Sequence, residues 1–219
     1  MINVNDVSYN YVSKYHTVEA LKNVSCKFEN GMLYSIIGPS GSGKTTLLSL
    51  LAGLDLPTSG EIFIDNVSMS SMDRDKYRRE QAAVIYQSFN LFPLLTAKEN
   101  IMFPMLLKGM NKAEAGRIAT EYAEDVGLRE VLLSKRPLLL SGGEQQRVAI
   151  ARALAIGGDI LLADEPTGNL DEENGKVIMS ILKRLTHEND YLCIMITHNT
   201  EMAEQSDRVY AIKDGRVVS

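Results

Sequence analysis

Short apolar runs alternate with longer segments of helical periodicity along most of the chain. The runs Leu33–Ile37, Ile160–Ala163 and Leu192–Ile196 are almost free of polar residues, which is typical of parallel strands buried on both faces. After Asp171, five apolar residues from Val177 to Leu185 form a stripe at helical spacing. This alternation predicts an α/β fold with a mostly parallel sheet covered by helices.

Two parts of the chain depart from this pattern. Residues Met1–Phe28 contain alternating β-rich segments and predict an antiparallel flank. Residues 98–139 are mostly helical by composition, so we expect a helical subdomain inserted into the core. Asp214 and Gly215 separate two short apolar runs, and this pair predicts a tight hairpin turn. We expect residues 1–219 to form a single domain that contains this subdomain.

Composition narrows the functional class. Hydrophobic residues make up 45% of the chain, enough for a sizeable core. The formal net charge of -5 argues against a nucleic-acid partner, which normally requires a basic face. Cys26 and Cys193 lie in strand-like segments and are expected to be buried thiols in a reducing compartment.

Neither a secretory signal nor a membrane span is expected. Met1–Asp6 lacks the basic and apolar regions of a signal peptide. No apolar stretch approaches the roughly 18 residues of a spanning helix, so a membrane role would require a partner. The chain ends soon after the last predicted hairpin, so neither a C-terminal regulatory domain nor a fused membrane domain is expected within it. A piece of a longer protein would read the same.

A glycine-rich segment between the strand Leu33–Ile37 and a helix expected near Gly43–Leu51 carries a strong chemical signal. It matches the pattern G-x-x-x-x-G-K-[ST], whose backbone N–H groups surround phosphate oxygens. Lys44 would contact the β- and γ-phosphates, and the Thr45 hydroxyl would bind Mg²⁺. The predicted ATP site consists of Gly38, Pro39, Ser40, Gly41, Ser42, Gly43, Lys44, Thr45 and Thr46.

Two adjacent carboxylates follow the apolar strand Ile160–Ala163. Parallel strands deliver their carboxyl ends to the ligand crevice, so Asp164 and Glu165 are expected at the phosphates. Asp164 would hold Mg²⁺, directly or through water. Glu165 would orient or deprotonate the water that attacks the γ-phosphate.

The segment Leu140–Gln146 resembles the signature motif of ATP-binding-cassette (ABC) ATPases. Ser141 and Glu144 have capping-box spacing, which predicts a helix beginning near Glu144. The motifs follow the family's order over nearly the whole chain. In that family the signature contacts the γ-phosphate of ATP bound to the opposite subunit. The resemblance therefore implies that Ser141, Gly142 and Gly143 bind ATP across a homodimer with two equivalent sites.

The resemblance implies catalytic or metal-binding roles for further residues. Gln87 corresponds to the glutamine that touches Mg²⁺ and the attacking water, and His198 to the histidine that contacts the γ-phosphate. The catalytic set is then Lys44, Gln87, Glu165 and His198, and the metal set is Thr45, Gln87 and Asp164.

Two more nucleotide contacts follow from the same resemblance. Asp171 closes the loop by which the family's subunits address each other's sites, and Gly168 and Asn169 stand where the family often has serine and alanine. Tyr11 corresponds to the aromatic residue that stacks on adenine. Two nearby tyrosines are alternatives for that role: Tyr9 and Tyr15.

The segment Ala163–Asp171 resembles the subfamily of lipoprotein-releasing, macrolide-export, antimicrobial-peptide-resistance and cell-division ATPases. That subfamily works with permeases that carry a large extracytoplasmic domain. The resemblance implies an ATPase held by its permease at the cytoplasmic face of the membrane, where it drives export. An alternative is an ATPase that transmits force in a cell-division or signalling complex and transports nothing. Cassette proteins of DNA repair or translation, and P-loop kinases or GTPases, fit the charge or the signature motif less well.

The apolar segment Phe89–Leu95 follows Gln87 almost directly and contains a proline. It allows two interpretations. One is part of the subdomain core, and the other is a groove for a cytoplasmic helix of the permease.

Overall fold

The computed structural model describes residues 1–218, which form two β-sheets surrounded by helices. The strands are β1 (Ile2–Val12), β2 (Thr17–Phe28), β3 (Leu33–Ile37), β4 (Ser59–Ile64), β5 (Val67–Ser68), β6 (Ala82–Tyr86), β7 (Ile160–Asp164), β8 (Leu192–Ile196), β9 (Arg208–Lys213) and β10 (Arg216–Val217). The helices are α1 (Lys44–Leu51), α2 (Arg74–Glu80), α3 (Ala97–Leu107), α4 (Lys112–Asp125), α5 (Gly142–Leu154), α6 (Glu172–Asn189) and α7 (Thr200–Ala203), with 3-10 turns at Glu130–Leu132 and Pro137–Leu139.

The larger sheet has the strand order β10-β9-β3-β8-β7-β6, and its strands from β9 to β6 are all parallel. Alternate residues of each central strand enter different hydrophobic clusters. In β7, for example, Leu161 and Ala163 pack on one side while Ile160 and Leu162 pack on the other. The sheet is therefore buried on both faces, which explains the continuous apolar runs and confirms the predicted α/β class.

A second, antiparallel sheet has the order β2-β1-β4-β5. Its first two strands lie within the predicted flank Met1–Phe28. Its other two strands come from residues 59–68, which the sequence reasoning did not assign. Helix α1 is buried between this sheet and the parallel sheet, since Leu47 and Leu51 share one cluster with Val4 and Ile194.

Helices α3 and α4 pack on each other and on α5, and together they form the expected helical region. Thr96 begins α3 with a capping box completed by Glu99. The buried Asn100 holds the preceding loop, because its amide accepts from Phe92 N at 2.8 Å and donates to the carbonyl oxygens of Phe92 and Leu95. The division of the chain into one domain with an inserted subdomain stays a prediction.

The hairpin between β9 and β10 is confirmed. Lys213 pairs with Arg216, so Asp214 and Gly215 form a two-residue loop. Both have positive φ, at 50° and 80°, as the type I′ turn of a hairpin requires.

Helix α6 begins after Asp171, as expected, and its apolar stripe faces the core with one exception. Four stripe residues are buried: Ile178, Ile181, Leu182 and Leu185. The fifth stripe residue, Val177, is 38% exposed. Val177 lies at the edge of the stripe, where the helix turns towards solvent.

No helix in the described part of the chain combines the length and the apolar character that crossing a membrane requires.

We predict unequal costs for two truncations on α6. Leu182→Ala should lower the free energy of unfolding by about 2–5 kcal/mol, because it leaves a cavity in the core. Val177→Ala should change it by no more than about 0.5 kcal/mol. Urea denaturation followed by circular dichroism measures both, and equal losses would contradict the orientation of α6.

Candidate nucleotide site

Four parallel strands end side by side at one edge of the larger sheet. In spatial order, β3 leads to Gly38, β8 to His198, β7 to Asp164 and Glu165, and β6 to Gln87. Adjacent strands lie about 4.8 Å apart, so predicted site residues separated by up to 160 positions in sequence lie within a few strand widths. The carboxyl edge of such a sheet is where α/β folds bind their ligands.

The loop after β3 has a backbone that only glycine adopts readily. Gly38 has φ 151°, and a Cβ there would overlap the carbonyl oxygen of Ile212. Gly41 has φ 76°, but a Cβ there would have no neighbour within 4 Å. The loop runs into α1 at Lys44, so free N–H groups and the positive end of a helix dipole lie together. This arrangement suits an anion such as a phosphate.

Lys44 lies within this loop and is only 5% exposed. Its ammonium group donates to the carbonyl oxygens of Gly38 and Pro39, each at 2.9 Å. Burial lowers the pKa of Lys44, and the nearby Glu165 and Asp164 carboxylates partly oppose that shift. The loop therefore holds a desolvated cation at its centre.

The two carboxylates after β7 have different environments. Burial raises the pKa of Asp164, the charge of Glu165 raises it further, and Lys44 and the Thr45 hydroxyl act in the opposite direction. The Glu165 Oε1 atom lies 2.7 Å from His198 Nε2, which joins the ends of β7 and β8. Glu165 also has a positive φ of 48°. The predicted base and the predicted γ-phosphate contact are thus direct neighbours.

Gln87 is hydrogen-bonded to the loop that follows β7. Its Nε2 donates to Asn169 Oδ1 at 3.2 Å, and Asn169 Nδ2 donates to the Gln87 carbonyl oxygen at 3.0 Å. The sequence reasoning noted Asn169 only as a departure from the family and did not pair it with Gln87. The sequence offered one signal for this pair. Asn169 carries an amide, which can form hydrogen bonds, at a position where the family often has alanine, which cannot.

The phosphate loop is also tied to the β9–β10 hairpin. Gly215 N donates to the Ser42 carbonyl oxygen at 3.0 Å, and the Gly215 carbonyl oxygen accepts from Lys22 N at 2.8 Å. Lys22 belongs to β2 of the antiparallel sheet. One residue of the hairpin thus bridges the loop and the second sheet.

A cavity of about 430 Å³ lies between the phosphate loop and β1–β2, and Tyr11, Val18 and Lys22 line it together with Thr45 and Thr46. Its volume is in the range of small-molecule sites.

Tyr11 is 51% exposed, and its hydroxyl lies 3.2 Å from Thr46 Oγ1. The ring of Tyr9 contacts the Tyr11 ring edge-on, with centroids 5.0 Å apart, and the Tyr9 hydroxyl donates a hydrogen bond to Asp55 Oδ2. Neither of the alternatives, Tyr9 and Tyr15, is among the residues that line the cavity. Adenine stacking on Tyr11 stays a prediction.

The signature segment begins α5 at Gly142, two residues earlier than expected, with Ser141 as its N-cap. The capping box is confirmed: Ser141 Oγ accepts from Glu144 N, and Glu144 Oε2 accepts from Ser141 N. The N–H groups of Gly142 and Gly143 remain at the helix start for an anion. The atoms nearest to a Cβ on Gly142 belong to Leu170, Phe89 and Asn169, and none belongs to the phosphate loop.

The donor set suits Mg²⁺ better than a transition metal. Residues 1–218 contain no cluster of three or more histidine, cysteine or acidic side chains that would hold a metal. The expected oxygen donors are the Thr45 hydroxyl, the Gln87 amide and the Asp164 carboxylate, whose raised pKa reflects the burial of its charge. Mg²⁺ commonly binds through one or two such groups together with substrate phosphates and water.

Residues 21–168 match the protein family described as ABC transporter. The chain belongs to the ABC transporter family. It is 43% identical to an uncharacterised ABC transporter ATP-binding protein of Methanocaldococcus jannaschii, over 99% of this chain and 95% of that protein. It is also 44% identical to the macrolide export ATP-binding/permease protein MacB of Campylobacter jejuni, over 91% of this chain but only 31% of that protein. The chain thus spans about a third of that macrolide exporter.

A solved structure has the same fold. The dimeric, post-hydrolysis state of an ATP-binding cassette bound to ADP and Pi aligns with a TM-score of 0.92 and 40% identity, over 100% of this chain and 97% of that chain. Family membership and this likeness confirm the fold class and the prediction that the chain is an ATPase cassette. The roles of the individual residues stay predictions.

We predict different effects for two substitutions in the phosphate loop of this cassette. Gly38→Ala should destabilise the chain even without nucleotide, because its Cβ overlaps the Ile212 carbonyl. Gly41→Ala should cost only the backbone strain of about 1–2 kcal/mol, yet it should weaken ATP binding because its methyl group enters the open side of the loop. Thermal unfolding and fluorescent-nucleotide titration separate the two. Unaltered ATP affinity in Gly41→Ala would contradict this view of the loop.

Proposed function

We propose that the chain hydrolyses ATP as a homodimer and drives a membrane permease. The observation that carries the dimer is the placement of the two anion sites. At the signature helix start, the atoms nearest to a Cβ on Gly142 belong to Leu170, Phe89 and Asn169, whereas the phosphate loop lies at the end of β3. In the family's arrangement, the signature helix start of one copy contacts the γ-phosphate that the phosphate loop of the other copy holds. The dimeric cassette bound to ADP and Pi supports this arrangement.

Within each site, the role proposed for each residue follows from its position. Lys44 and the N–H groups of the phosphate loop hold the phosphates. The Glu165 carboxylate, kept in place by His198 at 2.7 Å, orients the attacking water and accepts its proton. Thr45, Gln87 and Asp164 would hold Mg²⁺, which would neutralise charge on the phosphate oxygens when bound. Catalysis then rests mainly on positioning and electrostatic stabilisation.

Glu165→Gln tests the base and the dimer together. The amide retains the size of the side chain but cannot accept the proton, so we expect hydrolysis to fall by about a hundredfold or more. ATP should then stay bound and hold the two copies together. Phosphate release and size-exclusion chromatography with and without ATP measure the two effects.

The exposed Glu173→Gln, in the first turn of α6, is the matched control and should behave as wild type. A Glu165→Gln variant that stays monomeric in ATP, or that hydrolyses normally, would refute the assignment.

An apolar groove of about 290 Å³ supports the permease partner. Its walls come from α2, β6, α3, α5 and the loop after Gln87, with Phe92, Phe103 and Leu107 among its apolar members. Its basic members are Arg78, Arg79, Lys108 and Arg152. Arg152 donates to the carbonyl oxygens of Asn90 and Phe89 and lies over the Phe92 ring.

The two interpretations of Phe89–Leu95 both have support in the structure. Leu91 packs against the core of the helical region, while Phe92 is 40% and Leu94 78% exposed. A short amphipathic helix with apolar and acidic side chains would fit this groove. We propose that such a helix belongs to the cytoplasmic side of a permease and holds the chain at the membrane.

Export is the favoured form of this activity. Macrolide export proteins of Campylobacter jejuni and Neisseria gonorrhoeae are 44% and 41% identical to this chain over the region shared. We propose a permease with a large extracytoplasmic domain that exports a macrolide, a lipoprotein or an antimicrobial peptide. Force transmission without transport differs only in the permease, so the membrane protein that co-purifies with the chain decides between them.

Phe92→Glu, in the groove, or Leu94→Glu, exposed two residues further along the same loop, should uncouple the ATPase from that co-purified permease, because a charge there opposes the docking of an apolar helix. The measurement is ATP hydrolysis with and without the permease in lipid vesicles, together with transport. The stimulated-to-basal ratio should fall at least about fivefold, since a weakened apolar contact costs on the order of 1 kcal/mol or more. Val131→Glu, exposed on the helical region outside the groove, should retain coupling. Unchanged transport in the Phe92 and Leu94 variants would rule out the groove.

A further inference from the structure

Asn169 and Gln87 form a reciprocal pair that joins the ends of β6 and β7. Each residue donates one side-chain N–H to the other, at 3.2 Å and 3.0 Å. The two residues are 82 positions apart in sequence. The pair lies outside regular secondary structure, so these hydrogen bonds, rather than a ladder or a helix, hold the two loops together.

The backbone carbonyl in this pair fixes the orientation of both amides. A carbonyl oxygen can only accept, so the Asn169 group that contacts the Gln87 carbonyl must be Nδ2. Asn169 Oδ1 then faces the Gln87 side chain and can only accept, which requires Gln87 to present Nε2. The Gln87 Oε1 atom is left as the group available to a cation, and oxygen is the donor that Mg²⁺ requires.

Gly168 gives the pair its room. A Cβ on Gly168 would lie 2.8 Å from Gln87 Nε2 and 3.2 Å from Glu165 Oε2, which is closer than side chains normally pack. Because Gly168 has no side chain, the Gln87 amide and the Glu165 carboxylate can both lie close to the Gly168 backbone. Gly168 and Asn169 act on the same side chain, one by leaving space and the other by binding it.

We propose that Asn169 is a positioning residue that orients the Gln87 amide so that its oxygen serves the Mg²⁺ of bound MgATP. The inference rests on the metal role of Gln87 in the proposed function. It gives the Gly168-Asn169 departure from the family's common serine and alanine a role within the subunit's own site. Residues that orient a metal ligand typically contribute about tenfold to hundredfold to metal affinity or activity.

The test is a double-mutant cycle on the affinity gained from Mg²⁺. A non-hydrolysable ATP analogue is titrated against the full chain with Mg²⁺ and with EDTA, and the ratio of the two dissociation constants gives the gain. Gln87→Ala, Asn169→Ala and the double variant are compared with wild type. Each single change should reduce the gain about tenfold. The double variant should lose no more than either, because both changes remove one interaction.

Four further measurements separate positioning from general damage. The affinity in EDTA and the melting temperature should stay close to wild type in Asn169→Ala, which shows that the phosphate loop is intact. Gly168→Ala should lose the gain as Asn169→Ala does, since its methyl group displaces the Gln87 amide. Asn189→Ala, exposed at the far end of α6, is the matched asparagine control and should keep the full gain.

The outcomes distinguish the inference from the proposed function. A loss of the gain in Gln87→Ala but not in Asn169→Ala, or additive losses in the double variant, would overturn the role of Asn169 and leave Gln87 as a metal ligand. A full gain in Gln87→Ala would overturn the metal role of Gln87, and the inference about Asn169 would fall with it. Equal, non-additive losses with unchanged EDTA affinity would establish the pair.

Discussion

The site depends on the parallel pairing of β3, β8, β7 and β6. Each strand is buried on both faces, so a shift of one residue in any of them would exchange the side chains packed on the two sides of the sheet. The apolar alternation thereby also fixes where each strand ends. Because the strands end at one edge, the phosphate loop, the carboxylates, the histidine and the glutamine lie close together. The positions of these functional groups are thus set by the packing of the sheet that carries them.

That alignment has a cost in charge burial. Lys44 and Asp164 are both desolvated, and burial shifts the pKa of each towards the neutral form. The mutual attraction of the lysine and the carboxylates offsets part of this, as the opposing shifts show. Buried charges of this kind lower the stability of the folded chain. They suit a ligand that carries four negative phosphate charges together with a divalent cation. The hydrophobic clusters on the two faces of the sheet offset the stability lost to these buried charges.

How far the sequence predicted this structure depends on the range of the interactions. Leu33–Ile37 and Leu192–Ile196 were assigned with their observed bounds, because a strand buried on both faces is visible as a local pattern. Ser59–Ile64 was missed, since it is short, includes a glycine and is not continuously apolar. Likewise, the phosphate loop follows from local spacing and strand ends. The Gln87–Asn169 pair does not, because it depends on how two loops 82 residues apart orient their amides.

The bridge made by Gly215 has a practical consequence. A two-residue turn near the end of a chain would ordinarily be a natural site for an inserted tag, a fluorophore or a longer loop. Here the same turn donates to Ser42 and accepts from Lys22, so its backbone is part of the wall of the phosphate loop. An insertion between Asp214 and Gly215 would disturb both the phosphate loop and the antiparallel sheet. Labels for following this cassette therefore belong at another site.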